Sequence, residues 1–474
     1  MDAVDVQITT EGVTSRLAEH VAAISWDHLP AAVRSAAVRT AADSFACGIA
    51  GSRIALDVIG PLRALVSEYS GGSGTSMLHP HGLPAAVAAF VNGSTIHTID
   101  YDDTHMAVVS HFGASVVAAA LAATEASGGG SQRFLEAIVA GFEAGARVGR
   151  ACMPQHYQRW HATSSLGGIA AAAAAARGFG LDARGTEMAI GLAADDTGGT
   201  RVCIAQGDIS KSLHAGRAAE KGVRAAQLVA AGAIGPVGLL EHPFGFFWAY
   251  SDERDARRLP EQLADLGDRW EILENDIKAH PCILSSHTAI EATLSLAREH
   301  DFGIEDVEQV LLFQPGFSKG HGMNRDIRTV MAARLSVPWC VMVGLADGEV
   351  GLAQFTEDRI ADRELLGRLD RVTLEPDPDL GRRFPGQAPN RVRVTLRDGR
   401  VVEHEVGVAY GSHQRPFSEV DHRRKLIELT TDRLGEDGAD RLLGALSAAA
   451  DGDGLDALSE LLAPGDEGES RLRA

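Results

Sequence analysis

The sequence predicts a mainly α-helical protein, in which one large all-helical domain is interrupted late in the chain by a smaller α/β unit. Residues 12 to 265 are rich in alanine and leucine and poor in strand-type alternation, with glycine clusters such as GGSGTS and SGGGSQ between the helical runs. β-Branched alternation then takes over in VEQVLLFQPGF, RVTLEPDP and RVRVTLRDGRVVEHEVGVAYG. Helical pattern returns in SEVDHRRKLIELTTDRLG. A chain of 474 residues exceeds what one core usually supports. The domains are therefore expected at residues 1–267 with 409–474, helical, and 268–408, α/β.

Each element has a local reason. LPAAVRSAAVRTAADSFACGIAG carries apolar residues at helical spacing and ends in Gly51, read as a helix stop. IAAAAAAARG is an alanine helix built for close backbone approach, too short and too weakly apolar to span a bilayer. In GDISKSLHAGRAAEKG a helix starting at Ser210 places Lys211, His214 and Arg217 at i, i+3 and i+6, roughly along one face that the alanines and Gly216 keep open. Asp398-Gly399 marks a hairpin turn, and GDEGESRLRA is a polar, frayed tail. A junction between two such units is a favoured place for a ligand cleft.

The charge balance narrows the partners. With 44 basic and 64 acidic residues the net charge is 44 − 64 = −20, against a nucleic-acid footprint or an anionic membrane surface. The five cysteines are scattered, without a Cys-x-x-Cys pair, which fits reduced thiols in a cytoplasmic compartment and disfavours a structural zinc or iron–sulfur site. The N-terminal MDAVDVQITTEG has no basic or apolar leader pattern.

Four stretches carry chemistry. HTIDYDDTHMAVVSHFG packs three histidines and three aspartates into fifteen positions, more titratable groups than a solvated loop needs. A metal site is one alternative, although no His-Asp dipeptide and no HExxH occurs; side chains that merely cap helices are another. In HYQRWHATSSLGG, His161 stands just before a small-residue helix start that favours an anion. The Lys211 cluster is the third. In the fourth, DIKAHPCILSSHTAIEA, Lys278 and His280 precede Pro281 at the domain junction, where polar groups can close over a substrate.

Together these stretches resemble the MmgE/PrpD family, which includes 2-methylcitrate dehydratase, cis-aconitate decarboxylase and iminodisuccinate epimerase. The resemblance runs nearly end to end, through VRTAADSFACGIAGS, AAVAAFVNGSTIHTIDYDDTH with His111, GFEAGARVG, WHATSSLG, KSLHAGRAAEKGV, the Lys278 to His287 segment, ARLSVPW, TLRDGRVVE and YGSHQRPFS. It implies a large helical domain completed by C-terminal helices, a smaller α/β lid, a homodimer, a small carboxylic acid substrate, and no metal or organic cofactor. By similarity to cis-aconitate decarboxylase the cleft residues carry over onto Asp100, Thr104, His111, His161, Lys211 and Lys278. His105, His214, Arg217 and His280 join Thr104 as substrate-binding candidates. In that reading the lysines hold carboxylates, the histidines move protons, and Asp100 orients a histidine or acts as a base.

Departures from the pattern bear on the reaction. The decarboxylase has a histidine two residues after the lid proline, where this chain has Ile283, and one residue fewer between its threonine and cleft histidine. His280 stands where many members carry an aromatic residue, and Phe112 replaces a usual proline. These features speak against cis-aconitate decarboxylation. The expected activity is a dehydratase-like hydro-lyase, ahead of an epimerase, then a decarboxylase, then a non-catalytic carboxylate-binding protein.

Overall fold

The computed structural model describes residues 12–69, 71–252, 255–316 and 322–464; the N-terminal MDAVDVQITTE and the GDEGESRLRA tail lie outside them. The architecture is mainly α, with a smaller α/β portion, as the sequence predicts. Four helices make its centre: Phe112–Ser127, Ser131–Cys152, Ala162–Phe179 and Ser210–Ala230. Ala170 to Ala176 are wholly buried at this centre, so the alanine run is what lets neighbouring helices approach. A Cβ on Gly222 would sit 2.4 Å from the Ala171 carbonyl carbon, which leaves room for glycine alone at that crossing.

The long helix Ala31–Ile54 does not stop at Gly51. Gly51 lies inside it, where a Cβ would meet the Thr95 carbonyl at 2.7 Å, so this glycine serves helix contact rather than termination. The helices Glu419–Leu434, Gly438–Asp451 and Asp456–Leu462 add Leu426, Leu442 and Leu462 to the same core. Lys425 reaches back from them, 2.7 Å from Asp43 and 2.8 Å from the Tyr101 carbonyl.

The second core is separate. It gathers residues from Cys282 to Leu396, together with Cys203 and Ile204. Two antiparallel dipeptides, β1 (Thr104–His105) and β2 (Asn275–Asp276), pair across the chain. The four-stranded sheet uses β3 (Val307–Pro315), β4 (Val372–Asp377), β5 (Asn390–Leu396) and β6 (Val401–Val406) in the order β4-β3-β5-β6. Only the β3–β4 pair is parallel. Asp398-Gly399 turns β5 into β6 with Gly399 at φ 87°, as an Asp-Gly hairpin requires. The helices Leu284–His300 and Val337–Asp347 pack with this sheet and cover its apolar side chains. No single helix among the described residues is long and apolar enough to cross a membrane.

Candidate active site

The crowded segment of residues 97 to 111 folds as a chain of tight reversals. A 3₁₀ turn, His97–Ile99, ends on Asp100 at φ 52°; β1 follows; a second turn, Met106–Val108, ends on Val109 at φ 49°. Three non-glycine residues among those described have positive φ, and two of them, Asp100 and Val109, line one cavity. Such a backbone costs on the order of 1–3 kcal/mol per residue and persists where surrounding structure enforces it. Gly113, just beyond, donates its N–H to both oxygens of Asp103 at 2.9 and 3.0 Å. A Cβ there would lie 2.4 Å from the Asp103 carboxylate.

The cavity is lined from both cores. Asp100, His111, His161 and Lys211 come from the helical side, and Ile283, Leu335 and Phe384 from the other. Its volume is about 50 Å³, room for little more than a water or two, whereas small-molecule sites run roughly 300–1,000 Å³. As it stands the cavity is too small for a drug-sized ligand. A larger groove, about 800 Å³, opens behind the junction beside Tyr101, His280 and Arg415. Charges along it pair with one another, as in Arg415–Glu291 and Arg424–Asp421.

A buried charge chain holds the polar wall. Asp100 Oδ1 accepts from Lys211 Nζ at 2.9 Å and Lys278 Nζ at 2.6 Å, and Lys278 also donates to the Asp100 carbonyl at 2.9 Å. Burial opposes ionisation of Asp100, but the two ammonium groups outweigh it and hold the carboxyl well below its usual range. Burial likewise opposes the charge on Lys278, and Asp100 with Asp102 more than offsets it, raising that pKa. Asp100 Oδ2 is buried and makes no hydrogen bond, a free acceptor on a clamped carboxylate.

Lys211 also lies 2.9 Å from His97 Nε2, while His97 Nδ1 lies 2.8 Å from Asp102 Oδ2. Burial would raise the Asp102 carboxyl, but the His97 imidazole holds it down at about 2, so Asp102 is ionised. His97 therefore carries its proton on Nδ1, donates to Asp102, and accepts from the Lys211 ammonium on Nε2. Asp102→Asn keeps the shape but removes the charge that fixes this tautomer. Turnover is expected to fall by about 10–100-fold, with thermal stability shifted far less than by loss of Lys278; unchanged kcat would show that His97 does not orient Lys211.

The two cavity histidines differ in state. His111 Nδ1 donates to the Asp103 carbonyl at 2.7 Å, with Thr104 Oγ1 at 3.1 Å, leaving Nε2 as an unprotonated base. Burial, then Lys278, keeps the His111 pKa well below the ordinary value. His161 caps the helix Ala162–Phe179, and its Nδ1 stands 2.9 Å from His214 Nδ1. Burial and His214 depress the His161 pKa, and burial brings His214 down to about 4, so one neutral ring donates to the other. If His214 is the donor, His161 presents an N–H to the cavity.

The sequence-derived residues thus divide. Asp100, Thr104, His111, His161 and Lys211 line the cavity, and Lys278 braces Asp100 from behind. Four other candidates lie elsewhere. His105 sits on the opposite side of β1 from Thr104, as strand alternation requires, 3.3 Å from Glu271. His214 stands behind His161, and His280 is satisfied by the Val350 carbonyl at 2.7 Å. Arg217 is exposed at the surface beside Glu220 and Arg224, because i+6 lies a third of a turn from Lys211. Gly216 does not hold a face open; a Cβ on it would collide with Ser94 and the Phe90 carbonyl. Sequence reading missed His97 and Asp102 as partners behind the cavity, and Tyr157 and Ile204 as cavity wall; Ile283, noted there as a departure, lines it too.

The donor set also bears on a metal at residues 97–111. His97, Asp100, Asp102 and His111 bring ligand atoms within 4.8 Å of one another. Asp100 Oδ2 and His111 Nε2 keep free lone pairs, but two ammonium groups already stand on Asp100 Oδ1, at 2.9 and 2.6 Å, where they repel a second cation.

Comparison with known proteins gives a consistent picture. Residues 15–259 match the MmgE/PrpD N-terminal domain, and residues 280–448 match the MmgE/PrpD C-terminal domain. The chain is 27% identical over 482 residues to the cis-aconitate decarboxylase-like protein oryM of Aspergillus oryzae, covering 96% of this chain and 98% of that one. It is 26% identical over 481 residues to mouse cis-aconitate decarboxylase, covering 95% and 93%. To the human cis-aconitate decarboxylase it is 28% identical over 402 residues, covering 80% of each.

Proposed function

The chain belongs to the MmgE/PrpD family, and we propose that it is a lyase acting on a small carboxylic acid, at the carbon next to a carboxylate, without a cofactor. The observation that carries this reading is the clamped Asp100–Lys211–Lys278 group between two neutral histidines in a closed, partly apolar cavity. Lys211 supplies positive charge to a substrate carboxylate and to the negative charge that develops beside it. His111, with Nε2 bare, removes the proton from carbon, and His161 protonates the leaving group. Asp100 Oδ2 accepts from a substrate hydroxyl. With a hydroxyl on the neighbouring carbon the outcome is dehydration, the reaction we favour.

Decarboxylation is the second reading, favoured by the names of the three relatives. Against cis-aconitate itself stands Ile283, which puts an apolar side chain in the cavity wall where the decarboxylase resemblance would place a histidine. The remaining assignments, a cytoplasmic homodimer, follow the family resemblance, and five buried free cysteines support a reducing compartment.

A panel of di- and tricarboxylic acids incubated in deuterium oxide tests the reaction type. Dehydration yields a new ultraviolet-absorbing alkene, decarboxylation yields bicarbonate with deuterium at the carbon left behind, and epimerisation yields deuterium at an inverted centre. The first result is expected; hydrolysis or oxidation products would overturn the proposal. Turnover is also expected to survive exhaustive EDTA treatment, because two ammonium groups already hold the Asp100 carboxylate and repel a cation there. Loss of activity restored by one metal would reverse that assignment.

A further inference from the structure

Cys203 has no part in the chemistry above, yet its thiol completes a cluster on the far side of His161. His161 Nδ1 and His214 Nδ1 are 2.9 Å apart, Cys203 Sγ is 3.8 Å from His214 Nδ1, and all three residues bring ligand atoms within 4.8 Å of one another. They are held by three different elements: the cap of Ala162–Phe179, the short helix Val202–Gln206, and Ser210–Ala230. All are buried, at 2%, 1% and 7% exposure, so the cluster is preorganised rather than a chance surface meeting.

We infer that His161, Cys203 and His214 form an inhibitory binding site for a soft or borderline transition-metal ion such as zinc. Two imidazoles and a thiolate are a donor set suited to such ions. With metal–nitrogen distances of about 2.0–2.1 Å and metal–sulfur of about 2.3 Å, tetrahedral ligands lie roughly 3.3–3.6 Å apart. The sulfur–nitrogen spacing is close to that already, and the two rings need to part by a few tenths of an ångström.

The charge balance is simple. The thiol proton leaves to solvent, the imidazoles bind as neutral ligands with their protons on Nε2, and the bound group carries one net positive charge. Binding removes the hydrogen bond between the two rings. It also occupies His161 Nδ1, so a proton given up at the cavity-facing nitrogen can no longer be replaced from His214 through that atom, and the acid is not regenerated. Turnover stops although the substrate pocket is unfilled. This inhibition rests on the proposed role of His161, but the metal site itself does not.

Cobalt(II) titration of EDTA-treated protein separates the two. One equivalent is expected to give a near-ultraviolet thiolate-to-cobalt charge-transfer band with tetrahedral visible absorption, displaced by zinc. Cys203→Ser should abolish the charge-transfer band and weaken zinc by about 100-fold or more, since even outer-shell changes cost roughly 10–100-fold. His214→Ala should weaken it similarly. No stoichiometric binding, or a band that survives Cys203→Ser, overturns the site. Stoichiometric binding at Cys203 with undiminished turnover leaves the site standing, but overturns its inhibitory character and with it the role given to His161.

Discussion

Lys278→Met is expected to lose turnover and to destabilise the fold by about 3–5 kcal/mol, the range for breaking a buried ion pair from one side. From sequence alone, the cleft lysines read as groups that hold substrate carboxylates. In the structure Lys278 is 1% exposed and has no solvated alternative. Its removal leaves the Asp100 carbonyl without that donor and the carboxylate with Lys211 alone. The strained turn at Asp100 then loses what holds it at φ 52°. Asp100→Asn combined with Lys278→Met removes both charges and should recover part of the loss, with a coupling energy above about 1 kcal/mol, while remaining inactive. Urea denaturation of the two single variants and the double variant, beside turnover, measures this. Additive single effects would show that the pair does not hold the site together.

Why the lysine pair was legible as chemistry but not as structure is a matter of direction. Composition and periodicity reveal helices and strands because burial follows 3.6- and 2-residue repeats, and the alanine run at 170–176 and the Asp398-Gly399 hairpin stand as that logic expects. Side-chain facing inside an irregular segment follows no repeat. His97, Thr104 and His111 converge because Asp100 and Val109 adopt left-handed backbone, and nothing in an aspartate or a valine announces that. His105 shows the converse: beside Thr104 in sequence, it is turned away by a two-residue strand whose partner, Asn275–Asp276, lies 170 positions on. Arg217 fails for a simpler reason, since six residues along a helix overshoot the face that Lys211 and His214 define. The cavity wall from Ile283, Leu335 and Phe384 depends on the fold of the second core, and no spacing links these to the histidines.

Acid is expected to unfold this protein steeply, beginning below about pH 6.5. Eight histidines, 97, 111, 156, 161, 214, 280, 287 and 422, have depressed pKa values, in each case chiefly through burial. For a depressed pKa the unfolded chain takes up protons that the folded chain refuses, so stability is full above the unfolded value of about 6.5 and is lost as pH falls toward the folded values. His156, His214 and His422 are brought to about 4, which opens a window from about pH 6.5 down to 4. Each histidine held neutral costs up to about 1.4 kcal/mol per pH unit within that window. His413 works in the other direction, because its Asp276 partner raises it, and so does Asp103, which burial and Asp102 push up. Glu125 and Glu428, raised chiefly by burial, oppose as well, and with four opposing groups against eight the net slope is up to about four protons per molecule, enough to exhaust an ordinary folding free energy of about 5–15 kcal/mol within about one to three pH units. Denaturant unfolding at stepped pH values reads the slope as proton uptake. A flat profile between pH 7 and 5 would mean that these histidines are protonated in the fold, and His111 could not then serve as the base.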